Sequence, residues 1–526
     1  MSMKLETYKK FVFASLFIIG FTLSCTDLEI EGTDSIISEG SGDGGFTGVA
    51  NPESALNDLY NKVGGDFATQ ENMYALSEVT SDELLIPTRG TDWGDNGVWR
   101  QLHTHTWTPD HQFVKNAWNN LNQNIFRASE IIETTSSSAG VVAQAKFLRA
   151  FNMFFVMDLY GSVPFREVDE GPEVNPTVLS RSEAFSFIES DLNDALSGLS
   201  SVAPGVANVG TASAEAAKFL LAKMYLNAHI YKGTGTAETA DMQKVIDLVD
   251  EIKASGFDIQ EGYFQIFEPT DDSETILFLR SDIGARIWNS MHYNQNSPDN
   301  TGGGWNGFST LAEFYDLFEG DPDSNYVGDG QEERRGFVPD AATANNLNLG
   351  IGYGFLIGLQ YNEDGTPLEN RQGQPLVLKK EIPSLVGNGE TEGIRVIKYH
   401  PYDPTEDDNV NSFRQHQILF RYSDAHLMKA EAMMRMGDDA TALVNELRAK
   451  RTDTDPLPSV TEETLLDERA RELYIEFWRR NDLVRFGQFT APWGLKEVSG
   501  DPNVNLFPIP ATALLSNPNL VQNPGY

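Results

Sequence analysis

The stretch Arg421-Tyr422-Ser423-Asp424-Ala425-His426-Leu427-Met428-Lys429-Ala430-Glu431-Ala432 decides the fold of this chain. It opens a predicted helix over Tyr422–Met436, and Gly437 separates that helix from a second one predicted over Asp438–Lys450. Alanines alternate with bulky apolar residues in it, and small side chains let neighbouring helices approach closely. The stretch therefore predicts two antiparallel helices packed side by side.

The same pattern of paired helices occurs twice earlier in the chain. The first pair is predicted over Phe113–Glu133 and Val141–Tyr160, and the second over Ser213–Tyr231 and Ala240–Ala254. A single long helix is predicted over Glu462–Arg480. Such pairs resemble tetratricopeptide repeats, but their irregular spacing excludes a regular solenoid. The sequence therefore predicts a mostly α fold whose scaffold is a set of helix pairs.

The remaining regions lack helical periodicity. Residues 80–110, 256–310 and 320–415 are rich in Gly, Asn, Asp, Pro and aromatic residues. Long irregular insertions on a rigid scaffold are where binding residues usually lie. We therefore expect these loops to carry the ligand surface.

The beginning of the chain has the pattern of a secretion signal. Lys9-Lys10 precedes the apolar run Phe11–Leu23, and Ser24 is followed by Cys25, the one cysteine among 526 residues. A membrane-spanning helix needs roughly 20 apolar residues, so this run is too short to be one. The pattern predicts a lipoprotein signal peptide over residues 1–24 and acylation of Cys25. The alternative is an ordinary secretion signal followed by an unmodified cysteine.

Acidic, glycine-rich and serine-rich residues follow the cysteine. Residues 25–50 are predicted to be a flexible tether, and residues 51–526 a single globular domain. Asn51-Pro52-Glu53 is a plausible helix start, because Asn caps a helix and Pro is tolerated in its first turn. With a single cysteine the chain forms no internal disulfide, so its stability must come from packing.

The composition excludes some classes of ligand. The chain has 39 basic and 77 acidic residues, which gives a formal net charge of −38, and 40% of its residues are hydrophobic. Nucleic acid requires a basic surface, so binding to it is excluded. A strongly negative field also disfavours polyanionic ligands.

Several sequence blocks in chain order carry a resemblance to a known family. They cover nearly the whole chain and are Ala145–Phe151 with Leu159–Phe165, Arg421–Ala432, Glu468–Leu473 with Arg479–Gly487, and Phe507–Pro510 with Gln522–Tyr526. Together they resemble the SusD/RagB family of outer-membrane lipoproteins. Ser423, where the family usually has alanine, and Phe486, where tryptophan is common, depart from its pattern.

The resemblance implies a SusD-like fold and a binding function rather than an enzymatic one. It implies a lipid-anchored protein exposed on the outer membrane, which captures a polysaccharide or oligosaccharide and passes it to a SusC-like TonB-dependent transporter. The negative charge favours a neutral glycan such as a β-glucan, an α-glucan or a fructan, and no cofactor is expected. Two alternatives remain: a glycoside hydrolase using paired carboxylates, and a peptide-binding repeat scaffold.

Two loops have the residues that a glycan site needs. Sugar rings present apolar C–H faces and a rim of hydroxyls, so a site combines exposed aromatic planes with polar side chains. We predict that Trp93 and Trp305 stack against sugar rings. Their alternative role is burial, which is the default for tryptophan and is predicted for Trp107, Trp118 and Trp478. The remaining predicted ligand contacts are Asp82, Asp92, Asn96, Trp99, Arg100, Trp288 and Tyr293.

One stretch of the sequence has the spacing of oxygen ligands that a calcium site needs. The first, third, fifth, ninth and twelfth places of an EF-hand-like loop are matched by Asp321, Asp323, Asn325, Asp329 and Glu332. Tyr326 occupies the sixth place, where the sharp turn needs glycine, so a chance match is favoured over a calcium site.

Carboxylates also recur at helical spacing in the C-terminal part. Glu468, Glu472 and Glu476 are each four residues apart, with Arg469, Arg479 and Arg485 as candidate partners. They form either an acid/base pair or an ion-pair network that holds the last helix to the body. The second interpretation is favoured because such pairs are common on helices.

Overall fold

Helix pairs form the scaffold, as the sequence predicts. The computed structural model describes residues 46–171, 173–268, 270–296, 302–344, 348–401, 416–497 and 500–526. The signal peptide, Cys25 and most of the predicted tether lie outside these residues. Residues Gly48–Tyr526 form one compact unit.

The bounds of the α-helices agree with the predicted pairs to within a few residues. In chain order the helices are α1 (Pro52–Ala68), α2 (Asn72–Tyr74), α3 (Val98–His103), α4 (Gln112–Ile132), α5 (Ala139–Tyr160), α6 (Arg181–Leu196), α7 (Ala214–Leu226), α8 (Ala228–Tyr231), α9 (Thr239–Ala254), α10 (Gly284–Ser290), α11 (Ala312–Tyr315), α12 (Tyr422–Met436), α13 (Thr441–Arg448), α14 (Glu462–Leu473), α15 (Arg479–Arg485) and α16 (Ala511–Ser516).

The scaffold helices pack in chain order and across the molecule. Helix α5 packs against both α4 and α6, and α9 packs against both α7 and α12. Helix α6 was not predicted, although Ser180 and Glu183 form a capping box at its start. At α1 the predicted start is confirmed, because the Asn51 side chain accepts from the backbone N–H of Ser54. None of the helices in the described part of the chain combines the length and apolarity needed to cross a membrane.

Short strands join the loops to this scaffold. They are β1 (Val163–Phe165), β2 (Thr177–Leu179), β3 (Thr275–Leu279), β4 (Gly336–Phe337), β5 (Tyr353–Leu356), β6 (Gly358–Leu359), β7 (Val377–Leu378), β8 (Arg395–Ile397) and β9 (Gln417–Arg421). All pairings are antiparallel: β1 with β2, β3 with β9, β6 with β7, and β5 between β4 and β8. Strand β9 leads directly into α12, so it ties the loop region to the helix pairs.

The prediction of one long helix over Glu462–Arg480 is wrong, because the helix is interrupted after Leu473. Helix α14 ends at Leu473 and α15 begins at Arg479, and between them Ile475 and Phe477 have φ values of 53° and 75°. Their backbone N–H groups donate to two buried carboxylates: Ile475 to Glu83 at 3.0 Å and Phe477 to Glu78 at 2.5 Å. The break is therefore stabilised by acceptors some 390 residues away in the sequence.

An aromatic core lies where the helices meet. Phe67 contacts Phe151, Phe155 and Phe477 at ring-centroid distances of 5.3, 5.1 and 5.6 Å. The predicted burial of Trp107, Trp118 and Trp478 is confirmed, because each is at most 4% exposed and belongs to the hydrophobic core.

Candidate functional site

The segments of residues 288–295 and 302–307 run beside each other and form a fixed platform. The backbone N–H of Trp305 donates to the carbonyl of Trp288 at 2.8 Å, and that of Asn306 to the carbonyl of Met291 at 2.7 Å. These bonds pair the backbone polar groups of the two segments, so the backbone of the platform has a defined course.

Trp305 projects from this platform towards solvent. Its side chain is 46% exposed, and among the described residues it is the one exposed tryptophan. Tryptophan is normally buried, so a large exposed indole on a loop held by backbone bonds indicates a contact surface. The predicted exposure of Trp305 is therefore confirmed.

Trp93 packs against the platform and is half-buried. Its indole N–H donates to the carbonyl of Trp305 at 2.8 Å, and its ring centroid lies 6.0 Å from that of Trp99. A Cβ atom at Gly307 would lie 2.7 Å from the Trp93 ring, so only glycine allows this approach. Trp93 thus fixes the position of Trp305, and its predicted stacking on a sugar remains a prediction.

The assignment of Trp99 and Trp288 to the ligand surface is wrong. They are 2% and 5% exposed, and both belong to the hydrophobic core. Trp99 packs on Phe113 with ring centroids 4.8 Å apart, and its N–H donates to Asp95 at 2.8 Å. Burial against neighbouring apolar residues, which sequence composition does not reveal, removes both rings from solvent.

Tyr293 belongs to the platform and forms a polar cluster with residues of two other loops. Its hydroxyl donates to Asp92 at 2.6 Å, and the guanidinium of Arg371 lies 3.9 Å from its ring centroid. Arg371 is held there by Glu390, which accepts from its Nε at 2.7 Å. One face of the Tyr293 ring is therefore covered by a cation.

Three groups of this cluster, Tyr293, Arg371 and His292, keep one protonation state over the physiological pH range. Burial and the Asp92 carboxylate raise the pKa of Tyr293 to about 12, so its hydroxyl remains a donor. The hydrogen bond that Arg371 donates to Glu390 raises the pKa of Arg371, which stays cationic. Burial lowers the pKa of His292 to about 3, so this neighbour is neutral although its Nε2 lies 3.7 Å from Glu390.

A cavity of about 550 Å³ opens beside this cluster. It presents carboxylate, amide and guanidinium groups together with backbone, so it supplies both donors and acceptors. The residues that line it are Arg89, Gly90, Thr91, Asp92, Asn370, Arg371, Gln372, Asn388, Gly389, Glu390 and Thr391.

A second cavity of about 560 Å³ is lined by Asn294, the residue after Tyr293 in the chain. The side-chain amide of Asn294 donates to the carbonyl of Glu369 at 2.7 Å. The lining also includes Tyr361, Asn362 and Asp364. Glu369 directly precedes Asn370 of the first cavity, so this hydrogen bond connects the walls of the two polar cavities.

Two buried arginines hold the loops beneath this surface. Arg89 donates to the carbonyls of Asn306, Gly389 and Glu392 at 2.9, 2.9 and 2.7 Å. Arg395 donates through Nε to the side-chain oxygen of Asn306 at 2.8 Å. Burial lowers the pKa of Arg89 to about 10, which leaves it charged at neutral pH. These guanidinium groups join three loops that are distant in sequence.

The other polar residues predicted to contact a ligand are Asn96, Arg100 and Asp82, and Asp82 lines a different cavity from Asp92. Asn96 is exposed in a left-handed turn (φ 52°), and Arg100 donates to the hydroxyl of Thr88 at 2.6 Å. Asp82 does not line the cavity of Asp92 and Arg371, and its predicted contact with a ligand stays a prediction. Both of its oxygens accept from Arg479, at 2.7 and 2.6 Å, and it lines a separate cavity of about 510 Å³ that includes Trp493.

The calcium candidates do not converge. Glu332 is paired with Arg334 at 2.7 Å, and the Asn325 amide donates to the carbonyl of Phe355 at 2.8 Å. Asp329 accepts from the backbone of Tyr326 at 2.8 Å. Within the described ranges no group of three or more His, Cys, Asp and Glu side chains is arranged to hold a metal ion.

The paired carboxylates of α14 form an ion-pair network, which is the interpretation that the sequence favours over an acid/base pair. Glu468 accepts from Arg334 at 2.8 Å, and Glu472 accepts from Arg421 and Arg451 at 2.6 and 2.7 Å. All five side chains are at most 1% exposed. A substrate has no access to these carboxylates, which excludes them as a catalytic pair.

The predicted arginine partners belong to the same region but pair differently. Arg469 binds Asp424 and Asp482 at 2.8 and 2.7 Å, and Arg485 binds Asp482 and Glu431 at 2.6 and 2.7 Å. The sequence spacing indicated an ion-pair network, but it did not identify these partners. Asp424 and Glu431 lie in α12 and Asp482 lies in α15, so most of these pairs form between helices that pack together.

Sequence reasoning missed Arg371, Asn388 and Glu390. They lie in the region predicted to be irregular, and a turn-rich composition around Gly373 and Gly389 is the signal that they share. Nothing local indicated that this region contacts Asp92, from which Arg371 and Glu390 are separated by nearly 300 residues.

Comparisons with known proteins give one consistent result. A model described as the SusD family matches residues 273–526, and one described as starch-binding associating with outer membrane matches residues 43–226. The chain is 27% identical over 503 residues to the starch-binding protein SusD of Bacteroides thetaiotaomicron, covering 89% of this chain and 88% of that protein.

Solved structures share the fold. A laminarin binding SusD-like protein matches with a TM-score of 0.63 and 21% identity, covering 90% of this chain and 99% of that one. Surface glycan-binding protein A from Bacteroides thetaiotaomicron, in complex with laminarihexaose, matches with a TM-score of 0.62 and 16% identity over 90% and 98% of the two chains.

Proposed function

The chain belongs to the SusD family, and from this we propose that it is a surface glycan-binding lipoprotein. It captures a neutral polysaccharide or oligosaccharide at the outer membrane and delivers it to a SusC-like TonB-dependent transporter. Cys25 carries the lipid anchor, and the acidic residues after it form the tether. The protein binds its ligand without chemical conversion.

The observation that carries this proposal is the exposed indole of Trp305 on a platform that is joined to a polar cavity, because Arg89 of the cavity donates to the carbonyl of Asn306 at 2.9 Å. An indole face matches the apolar C–H face of a sugar ring, and Asp92, Arg371 and Asn388 of the cavity match its hydroxyls. Ligand binding sites commonly combine one apolar plane with a few fixed polar groups in this way.

A neutral glycan is favoured by the charges at the site. Arg371, the solvent-exposed cation of the cavity, is already paired with Glu390 and lies 3.9 Å from Asp92. The formal net charge of −38 repels polyanions at longer range. Relatives named for starch and laminarin support a glucan before a fructan.

Affinity electrophoresis of the detergent-solubilised full-length protein tests the proposal. Gels contain starch, laminarin, inulin or, as an acidic comparison, alginate. We expect retention by a neutral glycan, no retention by alginate, and no products when the retained glycan is analysed by chromatography. Binding to a peptide panel with no glycan retention would favour the peptide scaffold, and released sugars would favour a hydrolase.

The anchor is tested separately in cells. Metabolic labelling with a fatty acid should modify the wild-type chain and not a Cys25→Ala variant, which should also leave the membrane fraction. Equal labelling of the two would contradict the assignment of Cys25.

A further inference from the structure

We propose that a second saccharide site lies on the β4–β5 face, in a cavity formed by Phe264, Phe337 and Tyr353. The inference rests on the proposed glycan-binding function and adds a site that is separate from the Trp305 surface. The cavity measures about 570 Å³ and shares no lining residue with the cavities beside Asp92 and Asn294.

Three half-buried aromatic rings line this cavity. Phe337 and Tyr353 are cross-strand partners in the β4–β5 pair, with ring centroids 6.2 Å apart and planes at 69°. Phe264, in the turn Phe264–Phe267, lies 5.3 Å from Tyr353 with planes at 40°. Rings that meet at such angles present apolar surface on more than one side of the cavity, as a non-planar sugar ring requires.

A buried acceptor at the same cavity has no partner. Glu332 lines the cavity and is fully buried, and its Oε2 accepts from Arg334 at 2.7 Å. Its Oε1 is buried with no hydrogen-bond partner among the described residues. An unsatisfied buried polar atom is destabilising, so a ligand group that donates to it replaces a missing hydrogen bond and gains more than an exposed contact would give. A hydroxyl suits this position because it both donates and accepts.

The charges of the lining select against an anion. The described lining includes Glu268, Glu332, Glu333 and Asp453, and contains neither lysine nor arginine. Glu333 is already committed, because its carboxylate accepts from the backbone N–H of Tyr263 at 3.0 Å and of Thr452 at 3.1 Å. Aromatic planes with acceptors and no cation fit a neutral polyol better than a sulfated or carboxylated ligand.

Val327 provides a way to block the cavity without disturbing the core. It lines the cavity and is 47% exposed, so Val327→Glu introduces bulk and charge at a solvent-facing position. Val377 in β7 is a matched control, because it is 45% exposed and lines none of the cavities described above. A Val377→Glu variant makes the same chemical change elsewhere on the surface.

Isothermal titration of the full-length protein with laminarihexaose and with maltohexaose tests the proposal. We expect two binding events per chain for at least one of these probes. Trp305→Ala should lose one event and keep the other, and Val327→Glu should weaken the remaining event at least tenfold, while Val377→Glu titrates as the wild type. Hydrogen exchange should show protection of residues 324–337 by the same saccharide in the Trp305→Ala variant.

Three outcomes would overturn the second site and leave the glycan surface at Trp305 to be judged by its own test. The first is a single event per chain that Trp305→Ala abolishes, and the second is a Val327→Glu variant that titrates like the wild type. Protection of residues 324–337 by a lysine-containing hexapeptide and not by either saccharide would also overturn it, in favour of a cationic peptide site. Failure of the proposed function gives a different result from failure of the second site, because the wild-type protein is then retained by no glycan in affinity electrophoresis.

Discussion

Replacing Trp305 with alanine is the sharpest test of the glycan surface. The side chain is 46% exposed, and a tryptophan buries roughly 250 Å² at most, so roughly 100 Å² of indole surface is available to a ligand. At about 25 cal/mol per Å² of apolar surface, covering it with a sugar is worth about 2.5 kcal/mol. Since 1.4 kcal/mol is a factor of ten, Trp305→Ala should weaken saccharide binding by about 60-fold.

The assay is isothermal titration with the glycan retained in affinity gels, combined with urea unfolding of the same samples. The midpoint of unfolding should hardly change, because the described contacts of Trp305 to the platform are made by its backbone. Leu515→Ala is the control, since that side chain is 87% exposed and lies outside the cavities described above. A Trp305→Ala variant with less than a threefold loss of affinity would refute the role of the indole as the main contact.

The remaining predictions concern the supports of the site and of the fold. Trp93→Ala should lower the free energy of unfolding by about 2–4 kcal/mol, measured by urea denaturation, because it leaves a void beneath Gly307; an unchanged midpoint would contradict its supporting role. Arg371→Ala should weaken glycan binding about tenfold by titration, since a hydrogen bond from a charged group contributes about 1.5–3 kcal/mol; equal affinity would exclude it from the contact surface. Burial raises the pKa of Glu468, but Arg334 and two further arginines outweigh this and bring it to about 2 from an ordinary 4.5. The ionised Glu468 therefore contributes about 3 kcal/mol to the free energy of unfolding above about pH 4.5, and this contribution is lost as the pH falls towards 2. Melting temperatures should drop over that range. Glu468→Gln should be less stable at pH 7 and flatten this profile, and a parallel profile for the two proteins would contradict the assignment.

The anchoring of the helix break shows how distant residues override a local pattern. The apolar and charged periodicity of residues 462–480 continues past Leu473, and the sequence predicts one helix from it. Ile475 and Phe477 instead adopt left-handed conformations, because Glu83 and Glu78 accept their N–H groups within the core. Burial raises the pKa of both carboxyls, so their protonation also depends on the packing around them.

The candidate site was predictable in its location but only in part in its residues. Composition identified the loops, since Gly, Asn and Asp around Trp93 and Trp305 exclude a regular helix there. It did not separate Trp305, which is exposed, from Trp99 and Trp288, which are core residues. All three have polar or small neighbours in the sequence, and what distinguishes them is the apolar surface that other segments pack against them.

The sequence by itself determined the helix pairs, the burial of Trp107, Trp118 and Trp478, and the resemblance to the SusD family. These properties follow from local periodicity and from blocks of residues read in order, so no knowledge of distant contacts is needed. The tertiary structure alone decided that Trp93 supports Trp305 across 212 residues and that Arg371 covers Tyr293. Hydrogen bonds and cation–π contacts between segments depend on which loops the scaffold brings within a few ångströms of each other. The order of residues in the sequence does not give the distances between such loops.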